Sequence, residues 1–300
     1  MKKVRHTPLD SSLFERFSNV FLALCCVVFL FPFVMSIIVS FTAEDSIARN
    51  GYQLIPDEWS VESYKILFTA YGKSIGRALV LTLSTGIIEP ILSVFLSMLM
   101  AYPLSQPDFK GKNFWRIYLV ITMLFSGGLI PTYILYTRFL HLKDNFLVYL
   151  IPSLGAWNIF LFRTFFVGID KSMIESAKLD GASNFQVMLK IMLPLTKPLV
   201  VMNFFSGFIG KWNDINTSLY YITRRKLYTI QFLLQEMLRG AEETEALIKA
   251  GLIAESAVES IPVESIRYAI AVIGAIPVLI LFPYFQRYYS KGITLGSTKG

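Results

Sequence analysis

The chain has 300 residues, of which 54% are hydrophobic, 15% aromatic and only 16% charged. An ordinary soluble domain carries about 25% charged residues, so this composition excludes that class. The net charge of +7 does not point to nucleic acid, because the basic residues gather at the ends of apolar runs.

Each run long enough to cross a ~30 Å hydrocarbon core needs about 20 residues. Six are present, which predicts an all-α polytopic membrane protein with a short tail (1–16) and one transmembrane domain (17–300). Helices are required because lipid offers the backbone no hydrogen-bond partners. The tail carries Lys2, Lys3, Arg5 and Arg16, and the first span covers 17–41. That run is too long for a signal peptide and lacks a small-residue cleavage site, so it is expected to stay uncleaved. Cys25 and Cys26 lie adjacent within it, a spacing that suits neither a disulfide nor a metal. An acidic outer loop, Thr42–Ser74, follows, with an amphipathic segment near Val61–Phe68 and Trp59 and Tyr64 as interfacial anchors.

The second span, 76–103, holds Glu89-Pro90 near its middle. A carboxyl group there is expected to face the bundle interior, and Pro90 is expected to kink the helix. On one reading Glu89 accepts hydroxyl hydrogen bonds or carries protons; on the other it is protonated, or paired within the bundle, beside the Pro90 kink. With no His or second acid in nearby spans, the structural reading is favoured. Lys110, Lys112 and Arg116 mark an inner loop, and the third span, 114–136, contains Phe125-Ser126-Gly127-Gly128 and Pro131. Two glycines and a proline predict a broken helix there. The fourth span, 146–166, has Pro152, Gly155, Trp157 and Asn158 in its middle and Arg163 at its inner end.

The loop 170–198 is a polar, amphipathic island. Phe185, Met188, Leu189 and Met192 recur at i, i+3, i+4 and i+7, and Ser183 with Gln186 fits a capping box. A helix–turn–helix bending at Gly181 is predicted. In the fifth span, 195–222, Asn203, Ser206, Gly210, Asn213 or Asp214, and Thr217 form one polar stripe. Such a stripe lines a water-filled path or joins helices. Trp212 beside Asn213, and Trp157 beside Asn158, pair a stacking surface with an amide, as a sugar requires. Trp212 also suits an interfacial anchor. A mixed-charge outer segment, Arg224–Arg267, with an amphipathic pattern over Leu227–Leu238, precedes the sixth span, 268–285. Short inner loops and tails hold far more Lys and Arg than short outer ones, which puts both termini in the cytoplasm.

Glu175-Ser176-Ala177, Asp180-Gly181-Ala182 and Ile191-Met192-Leu193-Pro194 together resemble the EAA loop of ABC importer permeases, with Ser176 in place of the usual second alanine. FSGGLIPTY in the third span resembles a signature of the complex-oligosaccharide subgroup, and KGITLGSTKG resembles the family's C-terminal ending. The resemblance implies a multi-pass subunit of a bacterial cell membrane importer in the carbohydrate, maltose-type class. It implies that Glu175, Ser176, Ala177, Asp180, Gly181, Ala182, Leu193 and Pro194 form a coupling element docked on an ATPase. It further implies a second permease subunit, two ATPase subunits that bind ATP and Mg, and an extracellular solute-binding protein.

No catalytic or metal site is expected in this chain. Gly72-Lys73-Ser74 lacks the first P-loop glycine, and His6 and His141 have no ligand partners at suitable spacing. The expected partners are those subunits, a carbohydrate and membrane lipid, with no nucleic acid. The expected path residues are Trp157, Asn158, Asn203, Trp212, Asn213 and Thr217. The rival reading is a stand-alone proton-coupled secondary transporter, which needs inverted repeats and paired ionisable groups at mid-membrane.

Overall fold

A computed structural model describes residues 8–250, 252 and 262–296. The basic residues Lys2, Lys3 and Arg5, His6 and the last four residues of the C-terminal ending lie outside these. All regular structure among the described residues is helical, apart from one isolated bridge between Thr42 and Trp59. The chain divides into two compact units, one of Met1–Gly72 with Met237–Ala275 and one of Lys73–Glu236 with Ile276–Gly300.

In the first unit, α1 (Pro8–Ser40) starts earlier than the predicted span, and its apolar surface is almost entirely unburied within the chain, as a lipid-facing helix requires. The short α2 (Glu44–Asn50) follows. Glu44 accepts hydrogen bonds from the backbone N–H groups of Glu264 and Ser265 at 3.0 and 3.1 Å. It thereby satisfies orphan donors at the start of α13 (Val263–Gly296) and complements the positive end of that helix. Ser63 and Ser265 share a buried hydroxyl bond of 2.6 Å.

The amphipathic stretch near Val61–Phe68 is not a separate element. It is the first turns of α3 (Glu62–Ser105), a 44-residue helix. At 1.5 Å per residue α3 is about 66 Å long, enough to cross the bilayer and project well beyond it. It runs through Pro90 without a break.

In the second unit, α4 (Lys112–Leu124) and α5 (Leu129–Ile134) are interrupted at Phe125–Gly128, where the axis turns by 107°. A wide helical turn, Leu135–Phe139, extends α5. This is the break that two glycines and Pro131 predicted. The fourth predicted span requires a correction. Phe146–Leu150 is a tight 3₁₀ turn, residues 151–155 are not helical, and only α6 (Ala156–Val167) is α-helix. Pro152 and Gly155 explain the loss, since proline disfavours helix in the residue before it and glycine weakens it.

The fifth predicted span is α10 (Lys197–Trp212) and α11 (Asn216–Tyr221), separated by Asn213–Ile215. The amphipathic pattern at Leu227–Leu238 belongs to α12 (Ile230–Lys249), and the sixth span lies within α13. Among the described residues, three helices are long and apolar enough to cross a membrane, two bent pairs are so when each is taken as one span, and α6 is a shorter apolar helix.

The core of the second unit gathers Met98, Ala101 and Tyr102 of α3, Leu119 of α4, Ile159, Phe162 and Phe166 of α6, and Leu199 of α10. Two glycines let α3 and α10 approach closely. A Cβ on Gly207 would lie 3.0 Å from Pro90 Cβ, and one on Gly86 3.2 Å from the Phe208 ring.

Candidate functional site

Two features stand out in the second unit: a helical hairpin at residues 171–195 and a polar cavity between α3, α10 and the segment before α6.

The hairpin begins at Asp170, whose carboxylate accepts the Ser172 N–H at 3.0 Å and caps α7 (Lys171–Leu179). It ends in a Schellman turn. Gly181 has φ +84°, its N–H bonds to Lys178 O at 3.1 Å, and the Ala182 N–H bonds to Ala177 O at 2.9 Å. Only glycine takes that backbone without strain. The next helix, α8 (Asn184–Val187), opens on the predicted capping box: the Ser183 hydroxyl accepts from Gln186 N at 3.2 Å, and the Gln186 side chain accepts from Ser183 N at 2.8 Å. Wide turns over Met188–Met192 lead into α9 (Leu193–Leu195), which contains Pro194. The axis then bends by 84° into α10.

The base of this hairpin is anchored and its tip is bare. Ile174, Val187, Met188 and Met192 enter the core of the unit, and Ala177, Ala182 and Leu193 pack against that core. The Tyr102 hydroxyl donates to the Asn184 side chain at 3.1 Å, tying α8 to the end of α3. Glu175, Ser176, Asp180 and Gly181 are exposed. The periodicity placed Phe185 on the apolar face; it is exposed, and Val187 takes the core position instead. Leu179, which the sequence pattern did not single out, is 89% exposed at the turn.

The cavity encloses about 360 Å³. Its walls are Glu89, Pro90, Ser93 and Val94 of α3, Ser153 and Asn158, and Asn203, Ser206, Gly207, Gly210, Lys211 and Asp214 along or just past α10. Asn203, Ser206 and Gly210 of the predicted stripe line this wall, with Asp214 and not Asn213 at its C-terminal end. Asn213 is exposed and donates to Ile209 O in its own helix at 3.0 Å. Thr217 acts at one remove, donating to the Asp214 carboxylate from its N–H at 3.0 Å and from its hydroxyl at 2.5 Å. Trp212 is 1% exposed, its ring centroid 6.2 Å from that of Phe208, and it does not line the cavity. Trp157 is exposed and does not line it either, whereas Asn158 and Asn203 do.

Glu89 is 2% exposed, and its Oε1 accepts the Ser153 N–H at 2.8 Å. One turn on, the Ser93 hydroxyl donates to Ser153 O at 2.9 Å. Both backbone polar groups of one non-helical residue are thus satisfied by side chains of α3. Backbone that leaves the helix at membrane depth needs such partners. Glu89 is thus paired within the bundle while also lining the cavity. The sequence reading had not placed Lys211 or Ser153 on this wall; each becomes visible only when α3, α6 and α10 are brought together.

In the second unit, bent and broken apolar helices surround a polar cavity, and a capped hairpin is seated on the same core. The chain belongs to the family of binding-protein-dependent transport system inner membrane components, which it matches over residues 5–295. It is 31% identical over 297 residues to the polygalacturonan/rhamnogalacturonan transport system permease protein YtcP of Bacillus subtilis (strain 168), covering 97% of this chain and 100% of that protein. It is 26% identical over 305 residues to the arabinooligosaccharides transport system permease protein AraQ of the same organism, covering 99% and 100%. Among solved structures it is similar, with a TM-score of 0.80 and 25% identity over 95% of this chain and 99% of the other, to a chain in the crystal structure of a bacterial ABC transporter involved in the import of the acidic polysaccharide alginate.

Proposed function

We propose that this chain is the membrane-spanning subunit of an ATP-driven importer that carries an oligosaccharide into the cytoplasm. The observation that carries the reading is the end-to-end likeness to permease subunits of sugar importers, in sequence and in fold. The cavity agrees with it. Its volume lies in the ordinary range for ligand sites, and its wall of amides, hydroxyls and carboxylates suits a ligand rich in hydroxyl groups. Asn158 and Asn203 are the path residues proposed to meet substrate directly, with Glu89, Lys211 and Asp214 beside them.

The hairpin is the proposed coupling element. Glu175, Ser176, Asp180, Gly181 and Leu179 present its tip to an ATPase subunit, while Ala177, Ala182 and Leu193 seat it on the core. Two ATPase subunits hold ATP and Mg, and a second permease chain and an extracellular solute-binding protein complete the machine. Both termini face the cytoplasm in this arrangement. Nucleotide binding drives the switch because it favours one of two conformations, and a core-anchored hairpin carries the bias to the helices.

The test is sugar-stimulated ATP hydrolysis by the purified complex in nanodiscs with its solute-binding protein. Glu175→Lys and Leu179→Asp are expected to abolish the stimulation while leaving the permease folded and in the membrane. Stimulation equal to that of the unaltered complex in both variants would overturn the coupling assignment.

A further inference from the structure

Where α3 ends and α4 begins, a second cavity of about 280 Å³ opens between these helix ends, the end of α6 and the start of α7. Its wall carries four cations, Lys112, Arg116, Arg163 and Lys171, and no acidic residue. The acids nearest in sequence, Asp108, Asp170 and Glu175, are not part of it. The floor is apolar, with Phe166 buried and Ile174 at its edge.

Three of the four cations are held in place by bonds to uncharged groups. Lys112 Nζ donates to Pro107 O at 2.6 Å, Arg116 Nε to Lys112 O at 3.3 Å, and Arg163 Nε to Leu104 O at 3.0 Å. Arg116 also donates from Nη2 to the Asn113 side chain. Each of these acceptors is a neutral oxygen, so none of these bonds offsets the positive charge of the cleft. The Arg163 bond uses Nε and not the two terminal nitrogens. A cleft lined by one sign of charge concentrates counter-ions, and guanidinium groups match the geometry of phosphate oxygens.

We infer that this cavity is a binding site for a phosphate group. Its position favours an anionic phospholipid. α3, α4 and α6 all pass from apolar to polar sequence here, which sets the cavity at headgroup depth, and its apolar floor would accept the first methylenes of an acyl chain. A basic pocket between the ends of membrane helices is the arrangement that captures such headgroups. Because α7 supplies Lys171 and Ile174, an occupant would also tie the base of the hairpin to the ends of α3 and α6. A soluble phosphate shares the same chemistry and is separated from lipid by the experiment.

The importer complex is purified from nanodiscs of phosphatidylcholine alone or mixed with phosphatidylglycerol, and retained lipid is counted by native mass spectrometry. The variants are Lys112→Gln and Arg116→Gln, alone and combined. The expected result is phosphatidylglycerol retained by the unaltered complex, with retention falling about fivefold for each cation removed. In the second arm, inorganic phosphate is titrated into complexes in phosphatidylcholine alone. Stabilisation by phosphate that both variants lose, without lipid retention, supports the same site with a soluble occupant. The inference is overturned if folded variants and unaltered complex retain lipid equally and phosphate stabilises neither. It is also overturned if cross-linking from Lys171 shows a carboxylate of an ATPase subunit seated in the cavity.

Discussion

The hairpin and the cavity are built from opposite kinds of information. In the hairpin every bond that shapes the bend joins residues no more than five apart: Asp170 to Ser172, Ala177 to Ala182, Ser183 to Gln186. In the cavity the decisive bonds join residues about sixty apart, Glu89 to Ser153 and Ser93 to Ser153. A locally determined element can keep its shape when its surroundings shift. An element held by distant partners exists only while those helices keep their spacing.

The largest effect is expected where the two helices of the cavity touch. Gly207→Val places a Cβ 3.0 Å from Pro90 Cβ, so α3 and α10 must separate. Overpacking of this kind costs roughly 1–3 kcal/mol, and the thermal midpoint of the purified complex should fall accordingly. Gly210→Ala is the control, because a Cβ there meets nothing within 4 Å. Equal destabilisation by both would show that the close approach is not what fixes the wall.

Glu89 comes next. Glu89→Gln keeps an acceptor for the Ser153 N–H, whereas Glu89→Leu leaves that donor unsatisfied at a cost of about 1–3 kcal/mol. Stability and uptake should therefore survive the first change and suffer in the second. If Gln impaired uptake as severely as Leu in proteins of equal stability, Glu89 would be carrying charge or protons, and the structural reading would be wrong.

In the hairpin, Gly181→Ala forces an L side chain to a φ of +84°, at about 1–2 kcal/mol, although no neighbour obstructs its Cβ. Ser183→Ala removes one half of the capping box, typically about 1 kcal/mol. Hydrogen exchange across residues 179–187 should rise in both, with little change elsewhere in the complex. A global fall in the thermal midpoint would mean that the hairpin is not the independent unit its local bonds suggest.

The same contrast explains what the sequence made legible. The Gly181 bend, the Ser183–Gln186 box and the break at Phe125–Gly128 are written in adjacent residues, and each appears where the pattern put it. The fourth span misled because a run of apolar residues was counted without giving weight to Pro152 and Gly155. Trp212 was read by type, as a stacking surface, but a helix wall has two sides and the packing of Phe208 took it inward. Lys211 and Ser153 join the cavity through contacts between helices, for which one sequence carries no local signal.

The smallest effect concerns a long-range tie outside the spans, between the loop after α5 and the end of α11. Asp144 accepts hydrogen bonds from Thr223 N at 2.6 Å, Thr223 Oγ1 at 2.5 Å and Arg224 N at 2.9 Å. The Thr223 hydroxyl bond above all, with the backbone donors and the Arg224 charge, holds its carboxyl below the ordinary value of 3.8. A depressed carboxylate contributes stability that is complete above the unfolded value and is lost as pH falls through the folded one. The benefit of Asp144 over Asn at this position should therefore be constant near neutrality and shrink only below about pH 4. Because the group is exposed and screened, the difference at neutral pH should be a small fraction of that caused by Gly207→Val. Thermal midpoints of the unaltered complex and Asp144→Asn, followed from neutral to acid pH, give the comparison. A difference that stayed constant into the acid range would mean that the tie works through geometry alone, with no contribution from the charge.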